Sequence, residues 1–150
     1  MSPDKFELLR KFTEELVTFN KTLGLRLVEA GEGTAKIRFE FKPELVGNFI
    51  LKILHGGVIA STLDVVGACA IMTTYLDQGD MHGMGTVDMR VDYLNPGKGA
   101  WFIATGTVMR GGRILSSTRM ELHNDQGELI AAGTAVYRIS RKEEKVFMNV

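Results

Sequence analysis

The sequence predicts an α+β fold in which an antiparallel sheet wraps around one long central helix, with a further helix at the N-terminus. Residues 56–76 predict the central helix, because they carry a single charge, at Asp64, and are apolar nearly all round. Long segments of alternating apolar and polar residues, joined by short turns, predict the sheet. With 150 residues, 45% hydrophobic and 24% charged, the chain has the size and composition of one globular domain, residues 1–150.

An amphipathic helix is predicted for residues 1–23, where Ser2 and Pro3 suit the cap and the first turn. Its apolar residues recur at steps of three and four: Phe6, Leu9, Phe12, Leu16, Phe19 and Leu23. Its polar faces mix both signs of charge, which favours packing on a core over binding to a membrane surface. Residues 24–140 form the predicted core of the domain, and residues 141–150 form a charged tail.

The predicted sheet has five or six strands. A first strand begins at Leu25 and a second covers Ala35 to Phe41, with a glycine-containing turn between them. Residues 44–54 have no clean period, and we expect a loop there that shapes a pocket. After a turn at residues 77–79, four more strands are predicted: 86–93, 101–109, 113–123 and 129–139. An exposed edge or face of this sheet predicts pairing with a second copy of the chain.

Charge and cysteine content exclude several classes of function. Eighteen basic residues balance eighteen acidic ones, so no overall field attracts nucleic acid or an anionic membrane. The single cysteine, Cys69, cannot form an internal disulfide, and we interpret it as a small buried hydrophobic residue. No basic and then apolar leader opens the chain, so we expect a cytoplasmic protein.

Asp64 is the leading candidate for chemistry. It lies about two turns inside the predicted helix, so it is not an N-cap. An ionised carboxylate among apolar residues costs several kcal/mol unless it is paired, which favours a functional role. A core aspartate satisfied by a neighbouring hydroxyl or backbone group is the structural alternative. A membrane-spanning helix is disfavoured, because a central aspartate costs about 2.5–3.5 kcal/mol on insertion.

His55, Gly56 and Gly57 open the central helix. The first N–H groups of a helix have no internal partner, and glycine lets a ligand approach them, which suits an oxyanion or a phosphate. The structural alternatives are a tight helix entry at the glycines and a histidine bound to a neighbouring backbone group. The sequence has no nucleophile-elbow serine, three-glycine dinucleotide motif, phosphate-binding loop or metal-ligand cluster, so we expect no metal or redox cofactor.

This pattern resembles the hotdog-fold acyl-CoA thioesterases of the PaaI-like branch. The similarity consists of the His-Gly-Gly motif, an aspartate nine positions after its histidine, and the strand from Gly85 to Pro96. The final hairpins are also similar, so the resemblance covers roughly residues 24–140. Val46-Gly47-Asn48 and residues 54–64 look particularly like a bacterial subgroup that acts on medium- and long-chain acyl-CoA.

The resemblance implies a hotdog fold and the hydrolysis of acyl-CoA in fatty acid metabolism, by a homodimer or a homotetramer. It implies that Asp64 acts as general base or nucleophile and that the Gly56 backbone N–H holds the thioester oxygen. It further assigns catalytic positions to Asn48, His55 and Thr86, which match residues of the family motif. In the family, the aspartate of one subunit faces the glycine and the asparagine of its partner.

Substrate-binding residues are expected around these groups. Coenzyme A carries phosphates, so arginines near the cleft mouth are candidates to bind them: Arg90, Arg110 and Arg113. Gly57 would let the substrate approach the backbone, and the acyl tail would follow a channel lined by Phe49, Ile50 and the central helix. Two alternatives stay open, namely a non-catalytic domain that binds acyl-CoA and a hotdog hydratase or dehydratase.

Overall fold

Six antiparallel strands form a curved sheet around a long helix, which confirms the predicted fold class. The computed structural model describes residues 1–76 and 81–141. The predicted turn at residues 77–79 and the tail after Arg141 lie outside the described residues. The elements are α1 (Pro3–Lys11), a π-helical turn (Phe12–Leu16), α2 (Thr18–Leu23), β1 (Arg26–Gly31), β2 (Thr34–Glu40), a 3-10 turn (Pro43–Leu45), β3 (Val46–Asn48), β4 (Ile53–Leu54), α3 (Gly56–Tyr75), β5 (Met81–Tyr93), β6 (Trp101–Arg110), β7 (Leu115–Asn124) and β8 (Leu129–Arg141).

The strand order in the sheet is β1-β2-β6-β7-β8-β5, and neighbouring strands run antiparallel. β5 is therefore an edge strand of this sheet, and it pairs with β8 from Tyr93 opposite Ala131 to Met81 opposite Arg141. A break in the register between Thr86 and Asp88 shifts the side chains of β5 relative to β8. The unpatterned segment before α3 contains the short β3–β4 hairpin.

α3 lies against the concave face of the sheet and supplies much of the core. Its Leu63, Val66 and Cys69 are fully buried, as the interpretation of Cys69 requires. The helix backbone comes so close to β6 that a Cβ atom on Gly106 would lie 2.6 Å from the carbonyl oxygen of Val66. By length and composition α3 could cross a membrane, but 61% of that apolar window is buried inside the fold. Its apolar surface is thus largely explained by packing on the sheet.

The N-terminal segment differs from the prediction of one continuous helix. α1 ends at Lys11, a π-helical turn follows, and Val17 is extended before α2 begins. The hydroxyl of Thr13 donates to the carbonyl of Leu9 at 2.8 Å, and the amide of Asn20 donates to the carbonyl of Thr13 at 3.1 Å. Such side-chain bonds to the backbone compete with regular helical bonds. The prediction of an N-terminal helix is confirmed, but its continuity over residues 1–23 was wrong, because the apolar spacing alone does not indicate these bonds.

Candidate active site

Asp64 projects from α3 towards β5 and is half-buried. The hydroxyl of Thr86 donates a hydrogen bond of 2.8 Å to Asp64 Oδ1. The structure thus brings together two of the predicted site residues that are 22 positions apart in the chain. This hydroxyl is the kind of partner that a structural aspartate needs, but the carboxylate also lines a cavity. The bond therefore satisfies one carboxylate oxygen, and the cavity leaves the carboxylate accessible to a ligand.

Tyr137 supports the same helix turn from β8. Its phenol donates a hydrogen bond of 2.8 Å to the backbone carbonyl of Asp64. Burial, reinforced by the nearby Asp64 carboxylate, raises the pKa of Tyr137 far above its usual range. The phenol therefore stays protonated and acts as a donor at all physiological pH values. The sequence does not indicate a site role for Tyr137, because an inward residue on an alternating strand looks like any other core residue.

A cavity of about 550 Å³ opens beside the Asp64 carboxylate. α3, β5, β8 and the N-terminal segment line it, and the lining is mostly apolar: Phe12, Val17, Asn20, Asp64, Val65, Ala68, Met72, Gly83, Met84, Gly85, Thr86 and Tyr137. Its size and composition suit a small apolar ligand with one polar anchor point. Phe49 and Ile50, expected to line a channel, are instead 82% and 76% exposed on the β3–β4 loop and do not line this cavity.

A second group of predicted residues lies at the start of α3. His55 is the N-cap, and its Nδ1 accepts a hydrogen bond of 2.8 Å from the N–H of Gly57. Because Nδ1 is the acceptor, the neutral ring carries its proton on Nε2. A Cβ atom at position 57 would lie 2.9 Å from His55 Nδ1, so this cap requires a glycine there. The histidine thus makes the backbone contact that was one of the structural alternatives.

The cap leaves the N–H of Gly56 as a donor without an acceptor among the described residues. The phenol of Tyr93 donates to the carbonyl of Gly56 at 3.2 Å, and its ring lies close to the glycine. Tyr93 is another residue that the sequence analysis did not single out for this site. The Gly56 N–H thus remains a backbone donor at the positive end of the helix dipole, where it can hold an oxyanion.

Asn48 lies in the adjoining β3–β4 hairpin. Its Oδ1 accepts hydrogen bonds of 3.0 Å from the N–H groups of Ile50 and Leu51, which closes the loop. The side-chain oxygen is therefore committed to the loop conformation. Any direct contact of Asn48 with a substrate oxygen or a water oxygen would come from its amide N–H groups.

Within one chain, the Asp64 carboxylate and the N–H of Gly56 are too far apart to contact the same reacting atom. With the rise of an α-helix, Asp64 lies about 12 Å along α3 from Gly56. A thioester carbonyl spans only a few ångströms, so one chain cannot bring both the carboxylate and the helix N-terminus to it. The arrangement offers a carboxylate at an apolar cavity in one place and an oxyanion donor in another.

The predicted coenzyme A ligands are spread over the surface. Arg90 is exposed on β5 and forms an ion pair of 3.0 Å with Asp92. Arg110 ends β6, and Arg113 lies in the turn that follows it. That turn adjoins the C-terminal end of α3, where the phenol of Tyr75 donates to the carbonyl of Gly112 at 2.6 Å. Arg110 and Arg113 therefore lie at the opposite end of α3 from Gly56.

Over residues 1–76 and 81–141, no group of three His, Cys, Asp or Glu side chains is arranged to hold a metal ion. The expectation that no cofactor takes part is not tested by this finding and stays a prediction.

Comparisons with known proteins agree with this fold and motif. The model of the thioesterase superfamily matches residues 51–131. The chain is 40% identical over 131 residues to the medium/long-chain acyl-CoA thioesterase YigI of Salmonella typhimurium, covering 81% of this chain and 84% of that protein. It is 33% identical over 118 residues to human acyl-coenzyme A thioesterase 13, covering 77% of this chain and 80% of that one.

Solved structures give the same result. A crystal structure from Shewanella oneidensis, described as related to the thioesterase superfamily, superposes with a TM-score of 0.83 at 38% identity, covering 93% of this chain and all of that one. The PaaI protein of Escherichia coli shares the fold, with a TM-score of 0.79 at 20% identity over 91% of this chain and 94% of that one. The resemblance drawn from the motif is confirmed, and this chain belongs to the thioesterase superfamily.

Proposed function

We propose that this protein hydrolyses acyl-CoA thioesters to a carboxylic acid and coenzyme A. The observation that carries the proposal is the Asp64 carboxylate, held by Thr86 at an apolar cavity that suits an acyl chain. The names of the relatives support the same substrate class, since they include acyl-CoA thioesterases of bacteria and of humans. We propose medium- and long-chain acyl groups as the preferred substrates.

In the proposed mechanism Asp64 acts on the thioester carbonyl through a water molecule. The carboxylate takes a proton from the water as its oxygen bonds to the carbonyl carbon, and the carbon–sulfur bond then breaks. The leaving thiolate of coenzyme A receives the proton. Thr86 holds one carboxylate oxygen, which leaves the other for the water. Direct attack by Asp64, followed by hydrolysis of the anhydride, would use the same contacts, and the sequence and geometry serve both routes equally.

The negative charge that develops on the thioester oxygen needs a donor, and we assign this role to the N–H of Gly56. Loss of one such donor typically lowers kcat by about 10²–10³. Because Gly56 lies about 12 Å along the same helix from Asp64, we propose that the donor comes from a second subunit. Each site would then combine Asp64 and Thr86 of one subunit with Gly56 and Asn48 of its partner. The free edge of β5, with Val87 and Tyr93 exposed, offers a surface for this pairing.

Subunit complementation tests this shared site. Asp64→Asn removes the carboxylate, while Asn48→Asp keeps the loop hydrogen bonds of Oδ1 and removes the amide donors. In a twofold-symmetric dimer, remixing the two inactive variants at equal amounts restores about a quarter of wild-type activity, because half of the dimers are mixed and each has one intact site. If refolded mixtures show no more activity than the separate variants, the shared site is wrong. Size-exclusion chromatography of the same proteins reports whether dimers associate into tetramers.

Turnover assays separate this proposal from its two alternatives. A hotdog hydratase would add water to a 2-enoyl-CoA without releasing thiol, and a binding domain would bind acyl-CoA without turnover. In this protein His55 uses Nδ1 to cap α3, which leaves that nitrogen unavailable as a base. We therefore expect thiol release from saturated acyl-CoA. We further propose that the reaction takes place in the cytoplasm and needs no metal or redox cofactor, so that activity survives treatment with a chelator.

A further inference from the structure

We infer that the acyl chain lies in the cavity beside Asp64 and that the kinked N-terminal segment is the wall that sets the acceptable chain length. This inference rests on the proposed function, since it assigns a substrate class to the same site. The N-terminal wall consists of Phe12, Val17 and Asn20, which line the cavity from outside the sheet and α3.

The cavity has a definite direction and length. Its lining residues on α3 are Asp64, Val65, Ala68 and Met72, so it runs along the helix from the carboxylate to Met72. The helix rises about 12 Å between these two ends. An extended chain of single bonds advances about 1.2 Å per bond, so this distance accommodates about ten carbon atoms. The site is therefore sized for a medium-length acyl chain with its carbonyl carbon at Asp64.

The kink places the wall over the cavity, and buried polar contacts fix the kink. Thr13 and Asn20 are almost fully buried: the Thr13 hydroxyl donates to the carbonyl of Leu9 before the π-helical turn, and the Asn20 amide donates to the carbonyl of Thr13 within it. The N–H of Leu27 donates to Glu14 Oε1 at 3.0 Å, which connects the turn to β1. π-helical turns occur often at functional sites. A regular helix would direct these side chains elsewhere, because each residue turns by about 100°.

The apolar lining predicts how the rate depends on chain length. Each methylene that enters the cavity contributes about 0.8 kcal/mol, which corresponds to an increase of about fourfold in kcat/KM. We expect kcat/KM to rise along the series from C4 to about C10 and to stop rising beyond it. A longer chain gains no further contact once the wall and Met72 are reached.

A matched pair of phenylalanine variants tests the wall. Phe12 and Phe6 are both half-buried in the N-terminal segment and pack against the core, but only Phe12 lines the cavity. Phe12→Ala is expected to raise the ratio of kcat/KM for C14 to that for C8 by about fivefold or more. Phe6→Ala removes the same ring and is expected to leave this ratio within about twofold of wild type.

Ala68→Leu tests the opposite change, since it fills the cavity one helix turn beyond Asp64. We expect kcat/KM for C10 to fall by about tenfold or more, while C4 stays within about twofold. Circular dichroism and a urea titration of each variant establish that it is folded before kinetics are compared.

Binding measurements keep this inference separate from the proposed function. Calorimetric Kd values for the same acyl-CoA series, measured on Asp64→Asn, report the chain-length dependence without turnover. In one outcome, wild type releases no thiol while Kd falls with increasing chain length and this dependence changes in Phe12→Ala and Ala68→Leu. That result would refute the hydrolase proposal and support the inference about the N-terminal wall. If acyl-CoA is hydrolysed but neither variant changes the chain-length profile of rate or Kd, the acyl chain lies elsewhere and the inference is overturned.

Discussion

Replacing Thr86 by valine removes the hydroxyl that holds Asp64 while keeping a branched side chain of similar shape. A hydrogen bond to a charged group contributes about 1.5–3 kcal/mol when it is buried. Thr86 is exposed and Asp64 is half-buried, so we take the lower end of this range for the loss. At about 1.5 kcal/mol, kcat falls by roughly tenfold. KM is expected to change little, because the hydroxyl holds the carboxylate and does not contact the substrate.

The assay is thiol release from decanoyl-CoA by wild type, Thr86→Val and Thr86→Ser. Serine keeps the hydroxyl and is expected to recover most of the lost kcat, which a general effect of β5 packing would not produce. The free energy of unfolding in urea should fall by at most about 1.5 kcal/mol in Thr86→Val, the value assigned to the bond, and should stay within about 0.5 kcal/mol of wild type in Thr86→Ser, which keeps the bond. Wild-type kcat in Thr86→Val, or equal losses in both variants, would refute the idea that this bond positions the carboxylate.

Three further predictions concern the hydrogen bonds of Tyr137 and His55 and the buried thiol of Cys69. Tyr137→Phe removes the bond to the Asp64 carbonyl and should lower the free energy of unfolding in urea by about 1 kcal/mol; an unchanged value would show that the bond contributes nothing. His55→Ala should cost about 1 kcal/mol of stability through the lost cap, whereas His55→Asn should keep most of it, and equal losses would contradict the cap. Burial raises the pKa of the Cys69 thiol to about 11, so a thiol reagent near pH 8 should label the native protein far more slowly than the unfolded protein, and fast native labelling would disprove this.

The sheet and the central helix could be predicted because their patterns are strong and local. An uncharged run of this length indicates a buried helix, and period two indicates half-buried strands. The interruption of the N-terminal helix could not be predicted in the same way. It depends on buried bonds of Thr13 and Asn20, whose spacing looks unremarkable in the sequence. Strand ends were less accurate: β5 begins at Met81 rather than near Thr86, because pairing with the long β8 extends it.

The candidate site was predictable to the extent that its residues form a continuous motif. His55, Gly56 and Asp64 stand out in the sequence, and Thr86 was assigned only through the resemblance to a family. The cavity, and the contact of Tyr137 with Asp64, form between elements that are distant in sequence. The sequence alone does not show which cavity a given core residue lines. The expected channel combined Phe49, Ile50 and the central helix; the cavity is lined by the central helix but not by Phe49 or Ile50, and the N-terminal residues that line it were not predicted.

The most direct test of the central claim is thiol release from a panel of acyl-CoAs, with wild type beside Asp64→Asn. The panel covers aliphatic chains from C2 to C18 together with phenylacetyl- and benzoyl-CoA. We expect wild type to turn over medium-chain substrates and Asp64→Asn to lose activity by about 10²–10⁴, the range that a general base contributes. Both proteins should have the same circular dichroism spectrum. Turnover near the wild-type rate in folded Asp64→Asn would contradict the account, because the proposed mechanism assigns activation of the water to the Asp64 carboxylate.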